Sequence, residues 1–183
     1  TEAIENFAET RARGEVPPTR LFFLGRENFP RRLTKDGLKH TLKSWSELLD
    51  TTAGKSKSVT LVAAGSLVPE ALKAADILAE QGVGAVVLHA SNVNHPDMAT
   101  LNAALAKTGG ALVTVEDHRV VGGMGAMIAH ALATAGGVFK MRTLGVGDHF
   151  GQSAYSALEL YKKHGLDSVA IAKTAKTAVE SGN

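Results

Sequence analysis

The chain has 183 residues, 44% of them hydrophobic and 21% charged, with 20 basic side chains against 18 acidic ones for a net charge of +2. That length builds one or two domains with a substantial core, and the near-balance of charge offers neither a nucleic-acid stripe nor a polybasic membrane patch. The absence of cysteine removes disulfide frameworks and thiolate metal sites and suits a cytoplasmic setting, and no apolar run approaches the roughly 18 residues of a membrane helix.

In chain order, EAIENFAETRARG reads as a short helix with Ala3, Ile4, Phe7 and Ala8 on one side and Gly14 after it. TRLFFLG is a strand that breaks at Gly25 and delivers Arg26. Residues 31–58 are polar and weakly patterned, an expected connection between domains that contains an edge strand near His40 to Trp45. A single helix and strand cannot bury both faces of that strand, so residues 1–30 read as the remnant of a preceding domain.

From Val59 onward the pattern alternates. The runs VTLVAAG, AVVLHAS, ALVTVED and VFKMRTLGV predict strands, each short and apolar. Between them lie helices over 68–82, with Leu72, Ala75, Leu78 and Ala79 on one face, and around Asp97 to Lys107 and Gly122 to Gly137. Helices over 153–164 and 167–180 close the chain. Apolar strands between amphipathic helices mean an α/β fold, a three-layer α/β/α sandwich on a mainly parallel sheet. Domain boundaries are expected at 1–30, 31–58 and 59–183.

Two glycine motifs invite phosphate chemistry and fit it badly. AGKS at Ala53 to Ser56 lacks the earlier glycine of a phosphate loop, because Leu49 stands there, and a strand follows where a helix is needed. A solvated linker is the better reading. VGGMGAMIAH has Ile128 where a dinucleotide motif has its third glycine. Gly122, Gly123 and Gly125 then serve to bring a helix start close to the sheet.

VEDHRV ends the third of these strands with Glu116, Asp117 and His118. At the carboxyl edge of a parallel sheet they are candidate acid–base equipment, or a loop or subunit contact; the structural reading is preferred. Arg26 lies where open α/β sheets place their ligand crevice, and its guanidinium matches phosphate geometry. The bland alternative is a surface arginine paired with Glu27. With the histidines scattered, a metal site is not expected.

The string from Val59 to about Ala178 resembles the carboxyl-terminal domain of transketolase and its thiamine-dependent relatives. The specific parts are Thr114 to Gly125, a Val-Glu-x-His before Gly-Gly-x-Gly, and GVGDHFGQS before the penultimate helix. The resemblance implies a five-stranded sheet with one antiparallel edge strand. GRENFP is similar to the end of the family's middle domain, Arg26, Asn28 and Pro30 matching while Gly25, Glu27 and Phe29 depart. There the arginine contacts the substrate's phosphate, so that role is implied for Arg26.

The resemblance further implies a fragment whose Thr1 is not a natural start. The intact enzyme would be a homodimer that moves a two-carbon ketol unit between sugar phosphates of the pentose phosphate pathway. It would use thiamine diphosphate and a divalent metal (Mg or Ca) held upstream, by a missing domain or subunit. This stretch alone would hold neither and would not catalyse. Glu116, His118, Gly122 and Gly123 would be structural or interface residues. The same stretch fits a 2-oxo acid dehydrogenase β subunit or a deoxyxylulose phosphate synthase, and a stand-alone interaction module is the reading from another class.

Overall fold

Three apolar runs form the centre of the sheet because they are buried on both faces. In the computed structural model, which describes residues 2–19, 44–148 and 152–180, these runs are β2 (Ser58–Ala63), β3 (Gly84–His89) and β4 (Ala111–Arg119). With β1 (Ser46–Asp50) and β5 (Lys140–Val146) they make one five-stranded sheet in the order β1-β3-β2-β4-β5. β1 runs antiparallel to β3, and every other pairing is parallel. The expected three-layer sandwich with one antiparallel edge strand is the architecture observed.

Side chains alternate across a strand, so each strand feeds two cores. Val59, Leu61, Ala63, Val87, Val113 and Val115 pack with α2 (Val68–Glu80) and α6 (Ser168–Glu180). Val62, Val86, Leu88 and Leu112 pack with α3 (Met98–Lys107) and α4 (Met124–Thr134). Each fully buried Leu, Ile or Val side chain contributes about 1.5–3 kcal/mol of transfer free energy. α1 (Glu2–Ala12) and α5 (Ala157–His164) complete the helices among the described residues.

Several elements sit differently from the sequence reading. The edge strand starts at Ser46, past the expected His40 to Trp45, of which residues 40–43 lie outside the described residues. A register shift between Glu47 and Leu49 breaks its alternation, leaving Leu48 and Leu49 both partly buried against the α2–α6 core. The buried face of α2 centres on Ala71, Ala74, Ala75 and Leu78, whereas Leu72 is only partly buried. Alanines let α2 approach the sheet and α6, where a longer side chain would hold it away. α5 begins at Ala157 because Ser156 caps it, its hydroxyl accepting from the Glu159 amide at 3.4 Å. On α1, Ile4 and Phe7 are 64% and 44% exposed, so the apolar side foreseen there has no cover among the described residues.

Glutamates from other elements cap two helices. Glu70 on α2 is 6% exposed and accepts from the Ser168 amide at the start of α6 (2.9 Å) and from Lys73 Nζ (2.7 Å). Burial works to raise its pKa, but these donors prevail and hold it below the ordinary carboxylate value. Glu116 caps α4 in the same way, through the amides of Met124 and Gly125.

Candidate functional site

The path of the chain creates one crevice. From β2 the chain crosses through α2 to β3 on one side, then returns through α3 past β2 to β4. The connections leaving β2 and β4 therefore go to opposite faces of the sheet, and between their carboxyl ends lies the switch point at which open α/β sheets bind ligands. The β2 side of this point is a single 3-10 turn, Gly65–Leu67, and the β4 side is Glu116 to Gly123.

Glu116 is 4% exposed, and its carboxylate accepts from the backbone amides of Met124 at 2.6 Å and Gly125 at 3.0 Å. It thus fills the anion position at the start of α4, where the amides and helix dipole favour negative charge. A phosphate cannot take the same two donors, which removes the dinucleotide reading on physical grounds. The glycines make this approach possible. A Cβ on Gly125 would lie 2.5 Å from Thr143 Cγ2 and 2.7 Å from Thr114 Oγ1, and one on Gly123 would fall on the Glu116 carboxylate. Gly122 has φ +76°, a left-handed conformation that turns the chain into α4.

The neighbouring polar residues face outward. Asp117 is exposed and accepts from Ser66 Oγ at 3.4 Å, a contact across the switch point. His118 is exposed, with Nδ1 2.9 Å from the Arg119 carbonyl oxygen, and Arg119 Nη2 pairs with Asp148 at 2.5 Å. Glu116, Asp117 and His118 therefore do not converge on one reacting atom: one is committed to a helix cap and two look to solvent. Arg26 and the strand TRLFFLG fall outside the described residues, apart from Thr19. AGKS forms the turn between β1 and β2, Gly54 taking φ +73° and β2 following directly.

Beside the switch point a cleft of about 200 Å³ is lined by Asp117, Val146, Gln152, Leu160, Tyr161, His164 and Leu166. Little in the sequence marks this cleft. Only GVGDHFGQS, which contains Val146 and Gln152, gave a signal. Among the described residues no group of three His, Asp or Glu side chains could hold a metal ion, and no helix is long and apolar enough to cross a membrane.

An α/β/α domain with a 1-3-2-4-5 mixed sheet and a glutamate-capped Gly-Gly-x-Gly helix is the class that fold and site define. Residues 52–171 match the family described as "Transketolase, C-terminal domain", and the chain belongs to that family. A protein of Methanocaldococcus jannaschii named as a transketolase C-terminal section is 38% identical over 117 residues, 64% of this chain and 35% of that protein. The 6-deoxy-6-sulfo-D-fructose transketolase subunit SqwH of Clostridium sp. (strain MSTE9) is 34% identical, covering 86% of this chain and 52% of the subunit. Among solved structures, a split gene transketolase described as an inactive beta4 tetramer aligns with TM-score 0.71 and 28% identity over 85% of this chain and 47% of that one. The chain thus spans about a third to a half of the length of these relatives.

Proposed function

We propose that this chain is the C-terminal part of a transketolase, an enzyme that transfers a two-carbon ketol unit between sugar phosphates. The observation that carries the reading is the family match over residues 52–171, with relatives that are themselves named as sections or subunits of transketolases. On this reading residues 1–30 belong to the preceding domain, 31–58 connect, and 59–183 form the C-terminal domain. Arg26 anchors the substrate's phosphate. Glu116, Gly122 and Gly123 build the α4 start, and His118 lies on the surface available to another subunit.

The cofactor of such an enzyme is thiamine diphosphate with a divalent metal (Mg or Ca), which supplies the carbanion chemistry when bound. The described residues do not fit it. They present no group of three His, Asp or Glu side chains that could hold a metal, and the start of α4 at the switch point is filled by Glu116. Upstream residues would hold it, in a cytoplasmic homodimer completed by the missing section, and this chain alone is inactive.

A second reading has its own support: the 1-deoxy-D-xylulose-5-phosphate synthase of Thermomicrobium roseum is 38% identical over 118 residues, 64% of this chain and 18% of that enzyme. The complete protein, supplied with thiamine diphosphate and a divalent metal, decides between the two. Transfer from a ketose phosphate to an aldose phosphate supports the first, and condensation of pyruvate with an aldose phosphate the second.

A further inference from the structure

The cleft beside the switch point has a chemistry that the transketolase reading does not use. Two acceptors mark its polar wall, which also carries the Tyr161 hydroxyl and the His164 ring. Asp117 contributes an exposed carboxylate whose only described donor is Ser66 at 3.4 Å, a long bond. Gln152 contributes a side-chain carbonyl oxygen, Oε1, that is buried and has no hydrogen-bond partner. Native structures rarely leave such an atom unsatisfied unless something outside the chain completes it. A third side is the carboxyl-terminal half of α5, with Leu160, Tyr161 and His164, where the helix dipole favours positive charge. Lys162 and Lys163 on the same turn are exposed and do not line the cleft. Val146, Leu160 and Leu166 supply an apolar floor.

An unpaired carbonyl oxygen and a carboxylate over an apolar floor select a ligand with several donors, a positive charge and a short hydrocarbon body. A carboxylate or phosphate would meet the Asp117 carboxylate and the bare Gln152 oxygen with repulsion, and the carboxyl-terminal end of α5 disfavours its charge. At about 200 Å³ the cleft is smaller than the roughly 300–1,000 Å³ of drug-sized sites, which limits the ligand to amino-acid size. We propose that this cleft binds a small organic cation through a primary ammonium group, held between Asp117 and Gln152 Oε1. The site lies in the C-terminal domain itself and is independent of the reading for the intact enzyme.

The test uses the isotope-labelled 183-residue chain and follows amide NMR shifts during titration with n-butylammonium chloride, n-butanol and sodium butyrate at constant ionic strength. Saturable shifts confined to Val146, the Gln152 side-chain amide and residues 160–166, seen with n-butylammonium alone, are expected. Asp117→Asn should weaken that binding about tenfold or more, the loss of a charge-assisted hydrogen bond, while leaving the melting temperature unchanged because Asp117 is exposed. Gln152→Leu should weaken it similarly; if that variant unfolds, Asp117→Asn decides alone. Shifts that do not saturate, that spread over the surface, that butyrate or butanol reproduces, or that survive Asp117→Asn unchanged would overturn the proposal.

Discussion

The side chain of Glu116 occupies the space that a Cβ on residue 123 would need, so the glutamate and Gly123 form one device. The carboxylate reaches the amides of Met124 and Gly125 because nothing projects from Gly123. Gly123→Ala should therefore destabilise the domain by about 1–3 kcal/mol through overpacking. Glu116→Ala should cost a similar amount, about 1–3 kcal/mol, by leaving two buried amides unpaired. Urea unfolding of both single variants and the double variant checks this. Sub-additive costs are expected, since removing the carboxylate relieves part of the clash. Full additivity would mean the two residues act separately.

Asp97 should couple the start of α3 to the start of the edge strand. Its carboxylate accepts from the Thr100 amide at 3.1 Å, from Thr100 Oγ1 at 2.7 Å and from the Trp45 amide at 3.0 Å. Asp97→Ala is expected to cost about 1–2 kcal/mol, the upper range for a lost cap. Trp45 is the only tryptophan and is 4% exposed, so its emission should shift to the red in this variant. Unchanged emission with full loss of stability would separate the cap from the strand contact.

Acid should unfold the domain through three carboxylates. Hydrogen bonding to Lys107 and Thr52 brings the Asp50 pKa from 3.8 down to about 2. Burial works to raise the pKa values of Glu70 and Asp97, but their donors prevail and both lie below the ordinary value. A carboxyl with a depressed folded pKa adds stability above its unfolded pKa and loses it as pH falls through the folded one. Stability should thus be flat down to about pH 5 and fall below it. Glu70→Gln should flatten that fall, and urea midpoints measured across the range test it. An unchanged acid limb would show that the bonds to Ser168 and Lys73 carry no proton linkage.

Arg26→Ala, made in the complete enzyme, should raise KM for phosphorylated sugars with little change for unphosphorylated ones. The loss expected is about 1.5–3 kcal/mol, that of a hydrogen bond to a charged group. Equal losses on both substrate types would take Arg26 out of the phosphate role.

Much of the fold was legible because the central strands carry one signal each. Short apolar runs such as VTLVA and AVVLH, rich in valine and set between amphipathic helices, point to a sheet covered on both faces. The glycines of VGGMG announced a close approach, though not that Glu116 was the group approached. β1 lies later than its sequence suggests because its bulge mixes Leu48 and Leu49 onto one core and hides the alternation. Glu70 was invisible for a different reason: a lone glutamate on an amphipathic helix reads as surface until α6 is packed on it. The cleft was equally hidden, since Asp117 and Gln152 come together only through the order of β4 and β5.

Ketol transfer between sugar phosphates is proposed for the complete protein, and its donor selectivity tests that proposal most directly. With thiamine diphosphate and a divalent metal present, consumption of a ketose phosphate donor and two-carbon extension of an aldose phosphate acceptor are predicted, with no release of carbon dioxide. Carbon dioxide release from pyruvate, with no turnover of the ketose phosphate, would contradict it.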